Sequence, residues 1–400
     1  MEPQSVPASR TPPRLPTLAG LTALSVLSLS LFLPALPVMA QDFGTSPRVM
    51  ALAMSGYMVG SAVMQLILGP LSDRVGRRPV MLGALAIYAI VSLGAYFAQD
   101  VTVFLMCRVL QAVVVAGTVL SQAVIRDIYP PEQATSRMGL VAAAMALAPM
   151  IGPMLGGALI DIAGWRSAFA LYTGVGLLAF LVAWVDLGET LTRAKGNWRD
   201  QARAYVALLA SRAFWGFAIC MAFSVGTFFV FLSGVPFVAA RQFGLSTMEI
   251  GLGLGSISGG FLIGSLVTAR LAPVLGLARL ILSGRIAALA GLSLGVGLFA
   301  SGVMHPLALL ATTIFGGSGN GLTLANANAG AMSINPALAG SAAGLAGALS
   351  VLVGAVLSTA TVALLEWQGG PVPLLLAMIA TVLVSLLAAI AALRPQAIPA

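Results

Sequence analysis

Two strings place charge where it could do chemistry. The first is Gly69-Pro-Leu-Ser-Asp73-Arg74-Val-Gly76-Arg77-Arg78-Pro79, three arginines and one carboxylate within six residues, flanked by glycines. Gly69 and Gly76 permit a tight turn, Asp73 can cap or pair locally, and the arginines hold such a loop at an aqueous face. The second is Arg108-Val-Leu-Gln111, inside an otherwise apolar run. A guanidinium there is costly unless it faces a polar interior. Because arginine does not give up its proton, its chemistry is recognition. Without a carboxylate neighbour, Arg108 favours an anionic or zwitterionic partner through a charge-assisted hydrogen bond at low dielectric. Hydrolytic and metal chemistry lack raw material: His305 is the single histidine, and Cys107 and Cys220 sit in apolar runs with no ligand spacing around them.

The elements that must carry these residues follow from composition. The chain has 400 residues, 59% hydrophobic and 8% charged, with mean hydropathy +1.01. Soluble domains carry about 25% charged residues, so a bilayer is the solvent. At about 20 apolar residues per crossing, the length allows roughly twelve spans. Residues 1–15 read as a polar cytoplasmic tail. Val38-Met39-Ala40 imitates a signal-peptide cleavage site, but the apolar run from Leu15 is far longer than a signal core of about 7–15 residues; it reads as a retained first span. Further spans fall at 50–70, 79–98, 102–124, 137–160 and 166–187. A charged linker at 188–210 leads to a second set at 211–237, 247–269, 279–300, 306–328, 339–364 and 371–393, before a tail at 394–400. The domains are thus two six-helix bundles, 16–187 and 211–393.

The 20 basic residues test this topology. With the N-terminus inside, only Arg48, Arg166 and Arg241 fall outside, Arg108 and Arg285 lie within spans, and the rest are cytoplasmic, as the positive-inside rule requires. Arg285 is expected to snorkel to the cytoplasmic interface. The net charge of +8 is too dispersed for nucleic acid. Gly251, Gly255 and Gly259, then Gly260 and Gly264, and Gly340 and Gly344, repeat at four-residue spacing and predict close helix packing.

The loop from Gly69 resembles motif A of the major facilitator superfamily, G-x-L-x-D-R-x-G-R-R, at every defined position. Arg108 and Gln111 resemble motif B, R-x-x-Q-G, with Ala112 in place of the glycine. Ala148-Pro-Met-Ile-Gly152-Pro153-Met-Leu-Gly156-Gly157 resembles motif C, G-x-x-x-G-P-x-x-G-G, with Ala148 at its first position. Leu33-Pro34-Ala35-Leu36-Pro37, Ala123 to Asp127, Trp165-Arg166 and Phe228 to Phe237 are similar to the bicyclomycin/chloramphenicol-resistance type of drug exporter. The resemblance implies an all-α membrane protein of twelve helices in two bundles that rock about a central cavity. It further implies a conformational latch at Gly69, Asp73, Arg74, Gly76, Arg77 and Arg78, cavity or coupling roles for Arg108 and Gln111, and export in exchange for protons from motif C. It implies no enzyme activity and no bound cofactor, the proton gradient supplying energy, and a monomer in a bacterial inner membrane with a small-molecule substrate.

One departure stands out. That subfamily's first span commonly reads T-D-M-Y-L-P, whereas this one reads Leu29-Ser30-Leu31-Phe32-Leu33-Pro34, with Ser30 where the acid would be. No Asp or Glu lies mid-membrane. Coupling through an end-of-helix acid such as Asp42, facilitated transport without coupling, and a partner switch by Arg108 stay open. Ser30, Ser224, Thr227, Phe228, Asn320 and Asn326 are candidate cavity residues, the asparagines equally suited to bonding between helices. Against drug efflux stand export of a metabolite on the same scaffold and a non-transporting receptor or scaffold.

Overall fold

A computed structural model describes residues 13–129, 131–190, 208–334 and 338–393. The tail up to residue 12, linker positions 191–207 and the tail at 394–400 lie outside the described residues. Helices α1 (Leu15–Asp42), α2 (Pro47–Val75), α3 (Arg77–Phe97), α4 (Val101–Ile128), α5 (Pro131–Ala163) and α6 (Arg166–Asp186) form the first bundle. The second holds α7 (Arg212–Phe243), α8 (247–275), α9 (277–300), α10 (Pro306–Ser333), α11 (Ala339–Trp367) and α12 (Pro371–Leu393). Between α8 and α9 the helix breaks at Gly276, whose φ of 72° is the left-handed region that glycine tolerates. With twelve helices, both ends of the described chain fall on one side, here the termini end; the opposite side is the far end.

Two helices of the first bundle change pitch along their length. In α1, Pro34 and Pro37 withhold backbone donors, and a 3-10 turn at Leu33–Ala35 separates Leu15–Ser30 from Leu36–Asp42. In α4, a 3-10 turn at Ala112–Val115 follows Gln111. A side chain at Gly60 on α2 would meet Ala112 Cβ and Val109 O at 2.9 Å. The methyl that α4 carries at the glycine position of motif B is thus accommodated by a glycine on its neighbour.

Every hydrogen bond between described residues of the two bundles lies in the far half. Asp161 at the end of α5 accepts from Met248 N at 2.9 Å and from the Thr247 hydroxyl, at the start of α8. Glu366 at the end of α11 accepts from Arg48 N at 2.8 Å, at the start of α2. Deeper, the Ser358 hydroxyl approaches Met54 Sδ at 3.6 Å.

Candidate functional site

The motif A loop is built around Arg77. Its side chain bridges Asp73 Oδ1 (2.6 Å), Asp127 Oδ2 at the end of α4 (3.0 Å) and Ser72 Oγ (2.5 Å), and is only 9% exposed. Asp73, expected as the latch, is here paired inside its own bundle. Arg78 donates to Leu187 O and Trp184 O, both at 2.8 Å, and lies over the Trp184 ring. Glu189, assigned by sequence to the linker, accepts from Arg77 N at 2.9 Å and Arg78 N at 3.2 Å. It satisfies the first-turn donors of α3 and opposes the helix dipole. Gly76, at φ 112°, makes this possible, since a Cβ there would lie 3.0 Å from Glu189 Cδ. Gly69, expected to permit the turn, instead lies inside α2, which runs on to Val75; it has open space around it, and its carbonyl accepts from Ser72 Oγ at 2.7 Å. Arg74 follows in the last turn of α2.

Arg108 is fully buried inside the first bundle. Nη1 donates to Gln111 Oε1 at 2.5 Å, Nη2 to Ser28 O at 3.2 Å and Nε to Ala53 O at 3.3 Å, so it ties α4 to α1 and α2. Its guanidinium also lies over Phe32 and Tyr57, 4.2 and 4.8 Å from the ring centres. Gln111 Nε2 donates to Ser92 Oγ on α3 at 2.7 Å. Neutral acceptors and π faces, each of the latter worth about 0.5–2 kcal/mol, stand in for a counter-ion. Ser30 bonds to Val26 O in its own helix and faces Gly152, whose Cβ would lie 2.8 Å from Ser30 Oγ. Asp42, the end-of-helix acid, is half exposed and accepts from Trp165 Nε1 at 2.7 Å.

Motif C is a packing surface. A Cβ on Gly156 would fall 2.7 Å from Leu31 C on α1, and one on Gly157 would fall 3.0 Å from Met248 Cα on α8. A Cβ on Gly251 of α8 would in turn fall 2.9 Å from Pro153 C. Three backbones from two bundles therefore meet at Gly152, Pro153, Gly156 and Gly157.

In the second bundle, Ser224 Oγ on α7 donates to Asn320 Oδ1 on α10 at 2.8 Å, which also accepts from Arg285 Nη2 on α9 at 2.9 Å. Arg285 is completely buried and does not snorkel. It lies about 12 Å into α9 at 1.5 Å per residue, and its side chain turns inward to the asparagine. Thr227 Oγ1 pairs with Thr381 Oγ1 at 2.8 Å, and Phe228 packs at 65° to Phe229. Asn326 Nδ2 bonds back to Leu322 O, within its own helix. Two clefts open between the bundles: one of about 430 Å³ at the far end beside Gln41, Arg241 and Glu366, and an apolar one of about 780 Å³ between α2, α4 and α11. Neither is lined by Arg108 or Arg285.

The family model described as "Major Facilitator Superfamily" matches residues 18–359. The chain belongs to this superfamily. It is therefore a multi-pass membrane transporter, of a family that works by transport and not by enzyme catalysis. Among its relatives, this superfamily member is 32% identical over 354 residues to "Uncharacterized MFS-type transporter YdgK" of Bacillus subtilis, covering 85% of this chain and 86% of that one. It is 36% identical to a Pseudomonas aeruginosa chloramphenicol resistance protein, over 57% of this chain and 55% of that protein. It is 30% identical to the multidrug transporter MdfA of Yersinia pestis, over 66% of this chain and 65% of that protein. The fold matches a D-xylose-proton symporter with TM-score 0.76 at 17% identity, covering 95% of this chain and 96% of that one.

Proposed function

We propose that this facilitator exports small amphipathic drugs or antibiotics across the bacterial inner membrane by alternating access, driven by the proton gradient. The observation that carries the reading is the motif C contact, in which α5 and α8 touch backbone to backbone through Gly157, Gly251 and Pro153. Such a seam has no continuous range of separations: it is closed or parted. The bundles are held together in the far half here, and the termini end, where most of the basic residues favour a cytoplasmic position, is where cargo enters. Parting the far seam releases it. Named relatives include a chloramphenicol resistance protein and a multidrug transporter, which favours drugs over metabolites. No acid lies in the middle of the spans, and the acids that bridge the bundles, Asp161 and Glu366, stand at helix ends. The test is a drug-susceptibility panel in a pump-deficient host, with and without an uncoupler. Resistance that the uncoupler abolishes supports the reading; resistance it leaves intact removes the proton, and no resistance to any drug removes efflux.

A further inference from the structure

Each bundle buries one arginine, and the two differ in how completely they are satisfied. All three nitrogens of Arg108 have acceptors. Arg285, equally sealed from solvent, has one: Nη2 reaches Asn320, while Nε and Nη1 have no partner among the described residues. The hydroxyl of Thr323, one turn beyond Asn320 on α10, is also buried with no partner among the described residues. It sits beside the residue preceding Arg285, since a Cβ on Gly284 would lie 3.1 Å from Thr323 Oγ1. Gly319 keeps the space over the guanidinium open, because a Cβ there would lie 3.3 Å from Arg285 Nη2.

The cluster is rich in donors and short of acceptors. Asn320 Oδ1 already serves both Arg285 and Ser224. No carboxylate of the second bundle can supply the rest. Its acids are Glu249, committed to the capping box of α8 with Ser246, and Glu366, bonded to Arg48 N. Both stand at the far end. A buried guanidinium whose Nε and Nη1 are both without acceptors among the described residues calls for an anion, which accepts a charge-assisted hydrogen bond from the free edge of the guanidinium.

We propose that Arg285, Asn320, Ser224 and Thr323 form an anion-recognition site that takes the carboxylate of an amphipathic organic acid. The inference rests on the export reading for its cargo and names the charge class that cargo includes. The site is closed in this conformation, so entry requires α7 and α10 to part at Ser224 and Asn320, which exposes the donors of Arg285, Ser224 and Thr323 together. An inorganic anion such as chloride shares the chemistry, and the experiment separates the two sources.

The experiment follows thermal unfolding of the purified full chain in detergent, titrated with 4-phenylbutyrate, its neutral analogue 4-phenylbutyramide, and chloride exchanged for isethionate at constant ionic strength. The expected result is a saturable rise in Tm with the carboxylate and none with the amide. In Arg285→Gln the apparent affinity for the carboxylate falls tenfold or more; in Asn320→Ala it weakens less. If chloride gives the same Arg285-dependent rise and competes with the carboxylate, the anion site stands and its resident is inorganic. Equal responses to carboxylate and amide, no response to any anion, or unchanged affinity in Arg285→Gln overturn the proposal. The comparison of acid with amide in the wild-type chain does not depend on any variant folding. Export of neutral drugs in cells is a separate readout, so loss of the anion site leaves the export reading standing, and the reverse.

Discussion

The carboxylate of Asp161, in the first bundle, caps the first turn of α8 in the second by accepting from Met248 N at 2.9 Å. The relationship has a mirror image. Glu366 of α11, in the second bundle, caps the first turn of α2 in the first through Arg48 N at 2.8 Å. In each case an acid closing one helix neutralises the positive end of another across the interface. Both acids are exposed, so each cap contributes about 0.5–1 kcal/mol, a factor of about 2–5 in the balance between closed and parted far ends. Asp161→Asn and Glu366→Gln should each raise by that factor the rate at which a maleimide labels Thr45→Cys, in the far-end cleft, on a Cys107→Ser, Cys220→Ser background. Labelling unchanged in the double variant removes the caps from the gate.

The glycines of α8 divide by what they meet. Gly251 faces Pro153 of the opposite bundle, whereas Gly259 has nothing within 4 Å of an added Cβ. Backbone cannot yield as a side-chain tip can, so Gly251→Ala should reduce drug export tenfold or more. Gly259→Ala should stay within twofold of wild type. Equal effects of the two substitutions on export rate would show that the α5–α8 seam does not close during transport.

Arg77 holds Asp73, Asp127 and Ser72 together from a nearly enclosed position. A lysine lacks the planar fork that spans all three partners and leaves at least one of them short of a donor, a loss of about 1–3 kcal/mol. Arg77→Lys should therefore lower Tm measurably and slow the transport cycle. Gly76→Ala should also lower Tm, since an alanine must adopt φ 112° and displace Glu189 from the start of α3.

Asp100 gives a pH signature. It caps α4 by accepting from Thr102 N at 2.7 Å and Val103 N at 3.2 Å, and the hydrogen bonds from Val103 and Thr102 hold its carboxyl below the usual range. A depressed folded-state pKa means that the cap stabilises at pH above the unfolded value of about 3.9. That contribution is lost as pH falls through the lower folded value. Asp100→Ala should thus have a lower Tm than wild type at pH 7, with the gap closing under acid. A gap independent of pH would show that the charge is irrelevant to the cap.

Much of this was legible in the chain because membranes impose simple rules. The twelve spans follow from apolar length, and the turn at Gly76 follows from its glycine and flanking charges, but Gly69, expected to help form that turn, lies inside α2, which runs on to Val75. Three features were not legible, for physical reasons. Arg285 reads as an interfacial arginine because its depth of about two turns suits snorkelling; only the fold reveals that Asn320 draws it inward. Glu189 lies 112 positions from Arg77, and no local pattern marks a carboxylate that caps a distant helix. The reciprocal caps of Asp161 and Glu366 are likewise single acids at span ends, meaningful only once α5 meets α8 and α11 meets α2. Ser30 was conspicuous as the residue replacing an acid, and its packing against Gly152 leaves little room for a larger side chain there.

The central claim is outward transport of small amphipathic molecules, and drug accumulation in energised everted membrane vesicles tests it most directly. Vesicles containing the chain should take up radiolabelled chloramphenicol, or another member of an amphipathic drug panel, above the level of vesicles lacking it. Collapsing the proton gradient with an uncoupler should abolish that difference. Uptake equal to that of empty vesicles for every drug tested would contradict the account.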